Sequence, residues 1–198
     1  MNTYYGKYFS ILMIMILSIS IIGCSKKNIT ADFTTYYSMD SAVAHANLII
    51  EGNIIDVKKN QDIVIGQSSG LSLKYTVSDV EVTNVIYGDV NVGDTIKVKQ
   101  LENETETEKY GYFEKGQNSI MFLVIYKSSP ASLINPSQGK IVIDNNEIQV
   151  KSNDSLYNLL STPSNQKQLT ENTLYPVETS YDYETIIKII KESVNKMK

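Results

Sequence analysis

Three kinds of side chain in this sequence have types and spacings suited to chemistry, and they fall at separate points of the chain. Cys24 is the only cysteine, His45 the only histidine, and Glu102, Glu104, Glu106 and Glu108 alternate through Glu102-Asn103-Glu104-Thr105-Glu106-Thr107-Glu108. In an extended strand alternate residues share a face, so the four carboxylates would stand together and offer the oxygen set that calcium takes. No glycine shapes a ligand loop there, and a charged hairpin tip that is merely solvated has the same composition. His45, within Asp40-Ser41-Ala42-Val43-Ala44-His45-Ala46, is the one imidazole available to activate a nucleophile. A partly exposed structural histidine on a short helix is the simpler account of it, and no Gly-x-Ser-x-Gly elbow supports a Ser-His-Asp arrangement. A lone thiol excludes an intramolecular disulfide and any cysteine-based zinc site. The residues therefore assign no catalytic group and no cofactor.

Cys24 acquires a different meaning from what precedes it. Lys7 and the amino terminus form a weakly positive segment, and Phe9 to Ile22 form an apolar run broken only by Ser10, Ser18 and Ser20, the order of a signal peptide. As a helix that run would span about 21 Å, against ~30 Å of hydrocarbon, so it is short for a permanent transmembrane anchor. The closing quartet Ile21-Ile22-Gly23-Cys24 resembles a bacterial lipobox. The resemblance implies a diacylglyceryl group on the Cys24 sulfur, cleavage between Gly23 and Cys24, and a mature protein held at the cell membrane on its extracytoplasmic side. Two acyl chains on one residue meet the two-signal requirement for durable anchoring.

Composition limits what the anchored part can do. The chain of 198 residues carries 18 basic and 22 acidic side chains. Removal of residues 1–23 takes away only Lys7, leaving 17 lysines and a net charge of −5. No basic stripe exists to displace counterions from phosphates, which opposes a nucleic-acid partner. Every basic residue is lysine, so planar bidentate recognition of carboxylate or phosphate is missing from the repertoire. There is no tryptophan among 14 tyrosines and 4 phenylalanines, which weakens stacking on sugars, and paired acids for glycoside cleavage are not recognisable without a cleft.

The elements that must position any site read as follows. Residues 24–38 are polar enough for a tether, reaching roughly 45 Å when extended, with Lys26 and Lys27 near the anionic head groups and with Tyr36-Tyr37 as the alternative start of the fold. A single β-rich domain is expected over 39–198. It opens with a short helix, then the β-branched run Asn47 to Val57 with Gly52 at a bend or close approach. Leu73, Tyr75 and Val77 alternate one step out of phase with Val80 and Val82, which predicts a β-bulge near Ser78-Asp79. Turns at Tyr87-Gly88-Asp89 and Val92-Gly93-Asp94 precede Thr95 to Gln100, a strand with two lysines on its wet side. Ser119 to Tyr126 is the most apolar stretch after residue 24 and reads as a central strand. Asp144-Asn145-Asn146 between Ile141-Val142-Ile143 and Glu147 to Val150 predicts a hairpin. Ser152 to Thr179 reads as a polar surface segment. Tyr183, Ile186, Ile187, Ile190, Val194 and Met197 share a helical face, predicting an amphipathic helix over about 182–197 with Ser180 or Asp182 as N-cap.

The succession Ala46 to Ile54, a long strand ending Val85-Ile86-Tyr87-Gly88, then Val92-Gly93-Asp94-Thr95-Ile96-Lys97-Val98, and Glu114-Lys115-Gly116-Gln117 before an apolar strand, resembles the netrin-like OB-barrel module, the fold of the tissue inhibitors of metalloproteinases, over roughly residues 40–127. The chain is also similar to uncharacterised extracytoplasmic lipoproteins of Gram-positive bacteria that share this strand order, a segment like Pro136-Ser137-Gln138-Gly139, and a closing helix. The resemblance implies a mainly β fold: a small five-stranded OB-like barrel with an added β-hairpin, a short leading helix and a C-terminal helix. It brings no catalytic residue. The inhibitors chelate a protease zinc through a free N-terminal cysteine fixed by a disulfide, whereas Cys24 would carry lipid and has no second cysteine to pair with. Fold-level likeness alone says little about function. The reading best supported is a membrane-anchored, non-enzymatic binding module with an envelope protein or peptide as partner. An envelope hydrolase using His45 or acidic residues, and a structural envelope protein without a specific ligand, stay open.

Overall fold

The structure is a computed structural model that describes residues 33–65, 71–102, 111–151, 155–160 and 178–197. After helix α1 (Met39–His45) come β1 (Leu48–Ile65), β2 (Leu71–Tyr87), β3 (Thr95–Leu101), β4 (Asn118–Val124), β5 (Ala131–Leu133), β6 (Lys140–Ile143) and β7 (Glu147–Lys151). Helix α2 (Ser155–Leu160), β8 (Glu178–Asp182) and helix α3 (Tyr183–Asn195) complete the order. Pairing runs β1-β2-β3-β5-β4 and returns from β4 to β1, a closed circuit of five strands in OB-like order. Every contact in it is antiparallel except β3 with β5, where Val98 and Lys99 lie beside Ala131 and Ser132 in parallel. β6 extends the free edge of β4 along Asn118 to Met121.

Strand β1 closes the circuit because five of its first six residues, Ile49 to Asn53, pair on both sides. Leu48 to Asn53 face Leu123 to Asn118 of β4 on one edge, and Ile49 to Asn53 face β2 on the other. Alternation then assigns two cores. Leu48, Ile50, Ile54, Val80, Val82, Val98, Met121, Leu123 and Leu133 fill the barrel. Ile49, Ile120 and Phe122 project outward and meet α1, α2, α3 and Ile148 of β7. A strand buried on both faces needs a continuous apolar run, which Leu48-Ile49-Ile50 and Ile120-Met121-Phe122-Leu123 supply.

The predicted bulge is displaced to the other strand. Register between β2 and β3 is unbroken from Tyr75 to Glu81, and Thr76, Ser78, Val80 and Val82 form one inward row, each at most 1% exposed. The apparent phase change arose because two of those inward positions are small and polar, while Tyr75 and Val77 belong to the outer face. In this region the extra residues lie on β1, between Ile54 and Asp56 opposite Val80 and Asp79, and between Lys58 and Gln61, while nearer the other end of the pair Thr83 and Ile86 are the extra residues on β2. Bulges of this kind bend a strand around a corner.

The outer layer begins earlier and ends sooner than its pattern suggested. Tyr36 is buried, its N–H donating to Gln138 Oε1 at 2.8 Å and its carbonyl accepting from Gln138 Nε2 at 2.7 Å. Asn135 Nδ2 donates to the Thr34 carbonyl at 2.9 Å, so packed chain precedes residue 39. Ser38 caps α1 by accepting from Ser41 N. Asp182, not Ser180, caps α3 by accepting from Thr185 N, and Met197 lies past the helix, 39% exposed. The turn Asp144 to Glu147 forms with Asn145 and Asn146 both at positive φ, 50° and 64°, as a two-residue hairpin turn requires. The arms part after a single bridge, β6 joining β4 and β7 joining β8. Within the stretch expected to be polar surface, Leu156, Leu159 and Leu160 of α2 are buried in the outer core.

Gly52 sits where the circuit is tightest. A Cβ there would stand 2.5 Å from Val80 Cγ1 and 2.8 Å from the Glu81 carbonyl oxygen. The second neighbour is backbone and cannot swing aside. Gly52→Ala is therefore expected to destabilise the protein by about 1–3 kcal/mol, read as a lower urea midpoint; an unchanged midpoint would refute the close approach.

Candidate functional site

Of the residues singled out by chemistry, Cys24, Glu104, Glu106 and Glu108 lie outside the described residues. Glu102 is engaged structurally, its Oε1 accepting from Asn60 N–H and, at 3.0 Å, from Thr76 Oγ1, which ties the far ends of β1, β2 and β3 together. Among the described residues no three His, Cys, Asp or Glu side chains gather as a metal would require. His45 is exposed at the end of α1; its Nδ1–H donates to the Ser41 carbonyl at 2.8 Å and its ring rests against Tyr36, centroids 5.0 Å apart. No described serine or carboxylate side chain hydrogen-bonds to its other nitrogen. No described helix is long and apolar enough to cross a membrane.

The barrel's outer face across β1, β2, β3 and β5 carries a different cluster. Strand pairing sets Lys58, Val77, Lys99 and Ser132 in one row, and Asp56, Asp79 and Lys97 in the next. In the second row Asp79 accepts from Lys58 at 2.8 Å and from Lys97 at 2.7 Å. These bonds hold its carboxyl below the usual carboxylate range. Asp56 also lies 3.2 Å from Lys58, so Lys58, reaching across from the first row, and Lys97 match the two carboxylates of the second.

Lys99 is not matched. Its ammonium lies 4.6 Å from the Tyr126 ring centroid and 5.6 Å from that of Tyr75, and donates to Ser129 Oγ at 2.7 Å. Tyr126 and Ser132 hydroxyls are 2.9 Å apart, completing a ring of phenol and serine groups. Among the described residues Lys58, Lys74, Lys97 and Lys196 each pair with a carboxylate within 3.2 Å; none approaches Lys99. Partial burial lowers its pKa from the ordinary lysine value, and burial followed by the neighbouring Tyr126 raises that of Tyr75. The alternation of β3 placed Lys99 on the wet face. Its neighbours come from β2, from the end of β4 and from the segment before β5, and no local pattern links them.

A second polar group lies where α3 starts. The Tyr183 hydroxyl donates to Glu51 Oε2 at 2.7 Å, and Asn118 Nδ2 donates to Glu51 Oε1 at 2.9 Å. Burial, and then the bond to Glu51, push the Tyr183 pKa up to about 12. The pair fastens the helix to β1 and β4, and Glu51 has its oxygens already engaged by the fold. The chain matches no protein-family model and no curated protein.

Because the fold favours the neutral phenol of Tyr183, the stability that this group contributes is whole below pH 10 and is lost as pH rises from 10 toward 12. Tyr183→Phe is expected to flatten the fall of unfolding midpoint over that window relative to the unmodified protein, as followed by circular dichroism; parallel curves would count against the assignment.

Proposed function

We propose that this chain is an extracytoplasmic lipoprotein, anchored to the cell membrane through a diacylated Cys24, whose OB-like barrel is a non-enzymatic binding module. The observation that carries the anchor is Ile21-Ile22-Gly23-Cys24 closing an apolar run too short to span a bilayer comfortably. The barrel supports the binding role through its outer face over β2, β3 and β5. OB-type barrels bind ligands on the face of strands 2 and 3, and here that face holds a half-buried ammonium with no carboxylate partner among the described residues. A desolvated charge left without its opposite is costly in a folded protein unless something compensates it. That pattern marks binding surfaces more than structural ones. Catalysis has less behind it: His45 is tied to its own helix and to Tyr36.

The anchor is tested by mass spectrometry of the protein from a membrane fraction of its bacterial host. The expected N-terminal peptide begins at Cys24 and carries a diacylglyceryl mass, and Cys24→Ala moves the protein out of that fraction. A peptide with unmodified Cys24, or one retaining residues 1–23, would overturn the lipoprotein reading.

A further inference from the structure

We propose that the Lys99 patch binds the carboxylate of an acidic sugar. The inference rests on the reading of the barrel as a binding module and adds the chemical class of its ligand. Lys99 offers one ammonium, flattened against two aromatic faces and steadied by a single hydroxyl. After the bond to Ser129 its charge has no carboxylate beside it among the described residues, which leaves it able to take one small anion. A carboxylate meets this need, because an ammonium in a partly desolvated setting makes a charge-assisted hydrogen bond roughly twice as strong as a neutral one. A phosphate or sulfate chain fits poorly. No arginine is present in the chain, and the neighbouring Lys58 and Lys97 are already paired with Asp56 and Asp79, so neither offers a second uncommitted ammonium for the further charges of a polyanion.

The rest of the patch favours a sugar over a peptide. Peptides that dock on sheets do so chiefly by adding a strand to an open edge. At the level of Lys99 no edge is open: β3 is paired with Val77 of β2 on one side and with Ser132 of β5 on the other. What this surface presents is side-chain hydroxyl and ring. Ser129 and Ser132 are half-buried, Tyr126 is 44% exposed, and Val77, on the same face, is 7% exposed. Hydroxyls that accept and donate beside a planar apolar face are what a pyranose requires, with its ring hydrogens on the tyrosine and its oxygens on the serines. The carboxylate then supplies orientation, and the sugar ring supplies contact area.

The test uses the full chain purified from membranes in detergent micelles with 13C-labelled lysine, following the Lys99 Cε resonance by NMR. Oligosaccharides of glucuronate and galacturonate are titrated in parallel with glucose oligosaccharides of equal length and with a glutamate-containing tripeptide. The acidic sugars are expected to shift the Lys99 resonance and to raise its depressed pKa, since an adjacent anion favours the ammonium. Lys99→Gln should weaken their binding about tenfold or more and Tyr126→Ala several-fold, with unchanged circular dichroism, while exposed Lys191→Gln leaves affinity unaltered. Equal binding of neutral and acidic sugars, insensitive to Lys99→Gln, would overturn the carboxylate assignment and leave the binding module standing. Binding of the tripeptide alone would overturn the sugar assignment. Failure of every probe to move the Lys99 resonance at 10 mM, on the order of the weakest useful site affinities, would overturn the proposal, independently of the Cys24 mass that tests the anchor.

Discussion

The architecture depends on one strand being paired twice. Over Ile49 to Asn53, β1 uses both backbone edges, one for β2 and the other for β4, and that double use turns a meander into a closed circuit. Closure removes exposed edges, a recognised hazard of β proteins. It also commits both faces of β1 to burial, since the inside of the barrel and the helical layer must each be filled from the same few residues. The cost is local crowding, resolved at Gly52 by the lack of a side chain. The four irregularities in the β1 and β2 register then let two long strands wrap around a core of isoleucine, leucine, valine and methionine with one buried phenylalanine, Phe113.

Polar groups are placed where that wrapping leaves room. Glu102 stitches the ends of three strands, Glu51 fastens α3, and Asp40 receives both carboxylate contacts of Lys196, joining the first and last helices. An exposed ion pair such as Lys196 with Asp40 contributes little by itself, and Glu102 and Glu51 engage neutral donors of the fold with their carboxylates. Lys99 stands out against this background of charges that are already satisfied. Its environment is aromatic and hydroxylic, with no carboxylate pairing with it among the described residues.

Much of the frame was legible because it follows from periodicity. Thr95 to Gln100 alternated and became β3; the run at Ser119 became β4; the Asn145-Asn146 pair could adopt positive φ and made the turn. Gly52 announced a close approach. What stayed hidden has particular causes. Thr76 and Ser78 face the barrel interior but are polar, so their strand looked bulged. β5 has three residues and draws its register from a parallel neighbour remote in sequence, leaving no local period. Helix α2 is six residues long and depends on docking Leu156, Leu159 and Leu160 onto the outer core. The patch around Lys99 joins residues 75, 99, 126, 129 and 132, a juxtaposition created only by closure of the sheet. Cys24 is the reverse case: the role proposed for it rests wholly on the residues before it.

The amide clasp at Gln138 has a mechanical side. Its side chain holds both the N–H and the carbonyl of Tyr36, Asn135 holds the carbonyl of Thr34, and Gly139 next door accepts from the N–H of Phe122 in β4. A pull applied to the chain ahead of Thr34 would thus load several hydrogen bonds side by side, and would pass through the loop into the central strand before it could peel α1 from the domain. A domain held by its leading end would therefore resist at this clasp.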